Sequence, residues 1–407
     1  MNTSTVIHQS KRLFSRRNVV IVGAKRTPIG TFMGGLSHLT GPQLGTIASK
    51  GAINASGIAP EDIDEVYLGN VNSAGSGQAP ARQVTMGAGL KLDTPSTTVN
   101  KVCASGMKTV MLGATAIAIG DRNTVLTGGF ESMSKAPHYL YLRKPTGYGH
   151  VQAVDSIQFD TLTDVYNNIL MGSCAEKICT ELGITREAQD EYAIKSYNKT
   201  REAQEKGIFD WEIEEIIEKD NKGKEKRFNK DEECQKFFPD KFAGLKPAFA
   251  KNGTITAANS SKINDGACSL IIMAEETAKE RGLKPLARII GYEDAEVAPI
   301  DFGIAPSKAC TRLLQRKGMS VKNVDFHEIN EAFAAVVLAN CKLMDIDISK
   351  VNLHGGAVAL GHPVGMSGAR IILSLYNVLK RNNGSIGMAS ICNGGGGASA
   401  IMIERLN

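Results

Sequence analysis

The sequence predicts an α/β fold in which one unit occurs twice and a polar segment is set into it. Three observations point there. Apolar runs of strand length alternate with helix-period segments over residues 19–131 and again over 287–403, the rhythm of a parallel or mixed sheet covered by helices. Residues 133–263 interrupt it with polar, helical and highly charged sequence, as a domain hung from an α/β body would. Both rhythmic stretches repeat one set of parts: a strand, a Gly-bearing turn, a helix, and a strand ending at Gly.

The elements follow in order. Basic, acid-free residues 1–17 include Lys11, Arg12, Arg16 and Arg17, and the first acid is Glu61. Such a start reads as a mitochondrial transit peptide or as a frayed basic tail. Val19–Val22 is a buried strand, Leu44–Ile53 a helix, Val66–Val71 and Thr97–Val99 strands, Gly106–Ile119 a helix of small residues, and Val125–Leu126 a strand ending at Gly128–Gly129. Gly172–Leu182 and Thr185–Lys206 are helices of the polar segment, which ends in a charged run over Glu212–Lys236. In the second stretch Ala287–Ile290, Val351–Leu353, Ile386–Cys392 and Ser399–Ile403 read as strands. Ala305–Lys317, Glu331–Met344 and Ser367–Arg381 read as helices.

Composition narrows the function. A chain of 407 residues, 42% hydrophobic and 22% charged, is long enough for two or three domains and a large core. The 42 glycines cluster without a period, which excludes collagen and linker sequence. A dispersed net charge of +5 excludes an electrostatic nucleic-acid binder. Eight cysteines form no CxxC pair and no zinc spacing, so buried free thiols in a reducing compartment are expected. No apolar run approaches the ~18 residues of a membrane span.

Reactive side chains concentrate among glycines in NKVCASG (100–106), GHPVG (361–365) and SICNGGGG (390–397), with NEAF (330–333) opening a helix. Cys103 follows a strand and starts a helix, where the dipole lowers a thiol pKa and backbone N–H groups face an oxyanion. Alone, it reads as a buried structural thiol. His362, between Gly361 and Pro363, is a base for a thiol or a surface-loop histidine. Cys392 runs into Gly394–Gly397 as an acid/base beside exposed N–H donors, or as a plain strand-end cysteine. Asn330 and Glu331 orient a water near an oxyanion, or cap a helix. What links them is placement: strand ends and strand–turn–helix junctions are where α/β folds carry chemistry.

VVIVGAKRTPIG, NKVCASGMK, NEAF, GGAVALGHPVGMSGAR and SICNGGGGASA, in this order from Val19 to Leu406, together resemble the thiolase family. TDVYNNILMGSCAE (163–176) and TITAANSSKINDGA (254–267) resemble its mitochondrial acetoacetyl-CoA branch. The resemblance implies duplicated βαβαβαββ units in five αβαβα layers with an inserted loop domain. It divides the chain into 18–132 with 264–285, the loop domain 133–263, and 286–407. It implies Cys103 as nucleophile, His362 as acceptor of its proton and Cys392 as acid/base. One oxyanion hole would be His362 with a water on Asn330, the other the N–H groups of Cys103 and Gly394. The reaction would be the reversible condensation of two acetyl-CoA to acetoacetyl-CoA and CoA, in ketone-body, isoleucine or fatty-acid metabolism. No covalent cofactor is implied.

By position, Tyr197, Lys236, Phe237, Phe238, Lys241 and Ser261 would meet coenzyme A, and the two lysines suit its 3′-phosphate. Read alone, these lysines are an exposed charged loop. A potassium ion would sit at Tyr197, Ala257, Ala258, Ser260 and Val358, and the chain would form a homodimer or homotetramer in the mitochondrial matrix. Four residues depart from the branch. Leu170 and Gly303 stand at acyl-pocket positions where it has His and Pro. His354 and Cys234 replace Asn and Tyr near the loop region.

Overall fold

The computed structural model describes residues 16–143, 146–219 and 223–407. The leader expected over 1–17 lies outside the described residues up to residue 15. Arg17 belongs to the folded body: its N–H donates to the Ala118 carbonyl at 3.1 Å and its guanidinium to that of Arg122 at 3.1 Å.

Nine strands, β1 (Val19–Arg26), β2 (Glu65–Gly69), β3 (Ser96–Val99), β4 (Thr124–Ser132), β5 (Asn264–Ala274), β6 (Ala287–Glu296), β7 (Phe326–Ile329), β8 (Ile386–Asn393) and β9 (Gly397–Arg405), lie side by side as β7-β8-β9-β6-β1-β5-β4-β2-β3. In the first half β3, β2 and β4 run parallel, and β5 is antiparallel to both β4 and β1. The second half repeats that order: β7 and β8 are parallel, and β9 is antiparallel to β8 and β6. The halves join where β1 pairs antiparallel with β6, Val19 opposite Ile289 and Ile21 opposite Ala287. The duplication predicted from repeated parts is therefore present in the strand order. The strand expected at Val351–Leu353 is not formed. Its place, equivalent to β3, is held by a single parallel bridge between His327 and Val351.

Period-2 alternation assigns each strand face to a layer. On β5, Cys268, Leu270, Ile272 and Ala274 share a core with α3 (Ser105–Ala118) and α8 (Val364–Arg381), whereas Ala267, Ile271 and Met273 face α1 (Gly41–Ser56) and α2 (Pro80–Gly87). On β9, Ile401 and Ile403 join the α3/α8 core, and Ala398, Ala400 and Met402 pack on α6 (Ala305–Lys317). The layers thus run helices, half-sheet, central α3/α8 pair, half-sheet, helices. α4 (Met171–Leu182) and α5 (Arg186–Glu205) come from the inserted segment and pack against α7 (Ala334–Met344). No helix among the described residues is long and apolar enough to cross a membrane.

The central helices approach so closely that only glycine fits between them. A Cβ on Gly368 would lie 2.4 Å from the Met107 nitrogen, and one on Gly106 would lie 2.8 Å from the Gly365 carbonyl. This contact draws the N-terminal ends of α3 and α8 together, and with them the turns that carry Cys103 and His362.

Candidate active site

Cys103 stands on a tight turn two residues before α3. Val102 holds φ +48°, a left-handed conformation that a β-branched residue adopts only under constraint. The constraint is visible. Asn100 Oδ1 accepts from Val102 N–H at 3.0 Å, and the Ser105 hydroxyl accepts from Lys101 N–H at 2.8 Å while donating to the Val102 carbonyl at 2.6 Å. The thiol opens into an apolar pocket. The low thiol pKa expected from the helix start is not found: burial pushes Cys103 up to about 12, against the pull of the Gly394 N–H directed at it. Desolvation in apolar walls outweighs a helix end two residues away.

His362 lies opposite, after Gly361 at φ +103°. Its N–H donates to Asn264 Oδ1 at 3.0 Å and to the Lys262 carbonyl at 3.2 Å. Its Nδ1 is 2.6 Å from the Ser367 hydroxyl, which itself donates to the Pro363 carbonyl at 2.9 Å. A hydroxyl whose proton is committed accepts from the ring, so Nδ1 carries the hydrogen and Nε2 has a free lone pair. Nε2 faces Asn330 Nδ2 at 3.5 Å, and Asn330 Oδ1 accepts from Arg370 Nη2 at 3.4 Å. Burial, with Arg370 second, pushes the imidazolium down to about 3. The ring is a neutral base at physiological pH.

Cys392 is the penultimate residue of β8 and is fully buried. Burial, then the neighbouring Cys103, raises its thiol well above the ordinary range. Cys103, His362, Cys392 and Gly394 all line one pocket, whose other walls include Met133, Leu170, Met171, Phe302 and Phe333. Asn330 sits behind the histidine, buried. The helix-capping alternative for Asn330 and Glu331 does not hold. α7 starts at Ala334, and Glu331 is a buried hub accepting from Tyr192 Oη at 2.7 Å, Ser196 Oγ at 2.8 Å, Asn352 Nδ2 at 3.0 Å and Val358 N–H at 3.0 Å.

Sequence reasoning missed Ser367, Arg370 and Glu131. Glu131 binds the Val71, Asn72 and Gly365 N–H groups at 2.9, 3.1 and 3.0 Å, so it ties the start of α8 to the first half. Burial pushes it up to about 7. The signal was available: a carboxylate inside a buried strand, and an arginine three residues after a serine in the buried first half of a helix.

The residues predicted to meet coenzyme A divide. Ser261 lines the pocket. Tyr197 is buried with Phe237 stacked on it, ring centroids 4.9 Å apart. Lys236, Phe238 and Lys241 stand exposed, with the Lys241 ammonium over the Phe238 ring. Of the residues predicted to hold potassium, Tyr197 Oη and the Ser260 and Val358 carbonyls converge on one point, which the Lys262 ammonium occupies at 2.8, 2.9 and 3.0 Å. Ala257 is exposed and Ala258 half-buried beside them. Leu170 lines the acyl pocket. Gly303 packs behind Phe302, where a Cβ would meet Ile178 at 2.6 Å. Cys234 is buried, within 3.5 Å of the Gln204 amide, and His354 is half-buried beside Thr200.

Two thiols, an imidazole of fixed tautomer and a glycine N–H around one apolar pocket define a cysteine-dependent acyltransferase. Residues 19–276 match the thiolase N-terminal domain and residues 283–405 the thiolase C-terminal domain, so the chain belongs to the thiolase family. It is 50% identical to the mitochondrial acetyl-CoA acetyltransferase of Rattus norvegicus over 390 residues, covering 96% of this chain and 91% of that one. It is 49% identical to a probable acetyl-CoA acetyltransferase of Dictyostelium discoideum over 411 residues, covering 100% and 99%. Its fold matches the crystal structure of a thiolase from Ascaris suum in complex with coenzyme A with a TM-score of 0.91 at 42% identity, covering 96% and 100%.

Proposed function

We propose that this thiolase is an acetyl-CoA C-acetyltransferase that joins two acetyl-CoA into acetoacetyl-CoA and CoA, reversibly, through an acyl-Cys103. The single observation that carries the reading is the meeting of Cys103, Cys392 and His362 in one pocket. Cys103 Sγ attacks the thioester carbonyl and its proton passes to His362 Nε2. The C–S bond to CoA breaks, and the departing thiolate takes the proton of Cys392. The Cys392 thiolate then removes an α-proton from a second acetyl-CoA. His362, now protonated at Nε2, stabilises the enolate oxygen, which makes the α-carbon accessible to a thiolate base. The carbanion attacks the acetyl group, whose oxygen is held by the Cys103 and Gly394 N–H groups. Collapse expels the Cys103 thiolate, which recovers its proton from His362. The complete cycle returns the enzyme to its neutral resting state.

Residues 133–263 serve as the CoA-holding domain, with Ser261 at the pocket and Lys236 and Lys241 toward the nucleotide end. Their exposure suits a phosphate that stays in water. Exposed Leu140, Tyr141, Leu142 and Val151 on one arm of that segment support self-association, since apolar side chains so placed are costly in a monomer. The basic leader and the names of the relatives support a mitochondrial location.

The test is incubation with labelled acetyl-CoA. Cys103→Ala forms no acyl-enzyme, whereas Cys392→Ala acylates but makes no acetoacetyl-CoA. Full synthesis by Cys392→Ala would refute the two-thiol scheme. Thiolysis of an eight-carbon 3-ketoacyl-CoA as fast as acetoacetyl-CoA would instead assign a broad-chain 3-ketoacyl-CoA thiolase.

A further inference from the structure

Lys262 sits where the resemblance would put potassium. An ammonium carries three protons, and three oxygens take them: Tyr197 Oη, Ser260 O and Val358 O. The same ammonium lies 5.1 Å from the centre of the Tyr197 ring. The three acceptors belong to three separate segments: α5, the stretch leading into β5, and the short helix Ala357–Leu360 that delivers Gly361 and His362. The Lys262 carbonyl also accepts from the His362 N–H at 3.2 Å. One residue thus braces the CoA side of the pocket and the backbone of the proposed base.

A potassium ion would need these same oxygens and would have to rest against a like charge where water is scarce. The residues present therefore do not fit the ion. They fit an ammonium: two carbonyls and a phenol are neutral acceptors that ask only for a single positive charge.

We infer that Lys262 is a built-in monovalent cation, a positioning residue that holds the seat of potassium and frees this enzyme from dependence on the ion. The kinetic arm of the test rests on the acetyltransferase reading, whereas thermal melting reads the seat alone. An enzyme inert on acetoacetyl-CoA would refute that reading and leave the melting result to decide on Lys262.

The experiment compares the full-length enzyme and its variants in potassium, lithium and choline chloride at one ionic strength. The native enzyme should show the same melting temperature and the same KM for CoA in all three. Lys262→Ala opens the seat: in choline it should melt lower and show KM raised several-fold with kcat less affected, and potassium alone should restore both. Lys262→Met fills the space without charge and should be equally impaired but unresponsive to potassium. Stabilisation of the native enzyme by potassium would overturn the inference, even if neither variant folds. So would a Lys262→Ala enzyme that potassium does not restore.

Discussion

At the scale of single residues, the site keeps its two thiols protonated until substrate arrives. With Cys103 pushed up to about 12 and His362 down to about 3, the resting pair is thiol and neutral imidazole rather than an ion pair. The sign of the expected pH dependence follows. The thiolate fraction should climb about tenfold per pH unit from 7 to 9. Iodoacetamide labelling of Cys103 in the substrate-free enzyme should climb with it. A plateau starting below pH 7 would show an ion pair instead. Ser367 is the residue on which the base depends, because its hydroxyl fixes the hydrogen on Nδ1. Ser367→Ala should lower kcat by about 10- to 100-fold and leave the KM for CoA nearly unchanged, measured by steady-state thiolysis.

At the scale of elements, the α3/α8 contact decides the geometry. Gly368→Ala would press a methyl group against the Met107 nitrogen. It should cost about 1–3 kcal/mol of stability, read from urea unfolding, and lower kcat further by separating the turns of Cys103 and His362. How much of this was legible varied with the range of the interactions. The reactive turns were readable because a cysteine or histidine among glycines at a strand end is a local pattern. Ala305–Lys317 was predicted with its observed ends, and Gly318 closes it at φ +64°. β5 escaped notice as a strand because Asn264 and Asp265 open it and Ser269 breaks its apolar run. Arg370 escaped because what gives it meaning is distant: it reaches Asn330, 40 residues away. Val351 is buried as a strand residue would be, yet only one bridge forms beside it. Periodicity reports burial and is silent about pairing.

At the scale of the whole molecule, buried charge ties the inserted segment to the sheet. Arg26, at the end of β1, donates through Nε to Glu212 at 2.7 Å and through Nη1 and Nη2 to Asp231 at 2.7 and 2.9 Å, and all three are buried. Arg26→Met would strand two carboxylates without their partner. It should destabilise the enzyme by about 3–5 kcal/mol, checked by calorimetry. The position of β5 between β1 and β4 has a further consequence, in time. β1 cannot find its partner until the chain has grown by some 250 residues, from Arg26 to Ala274. At ~5–20 residues per second that is about 12–50 s of synthesis. From the completion of β4 at Ser132 onward, four strands stand beside an unfilled gap, and the α3/α8 core waits longer still for the last quarter of the chain. Nascent chains arrested before residue 264 should therefore be captured by chaperones and cut readily by protease, whereas full-length chains should resist.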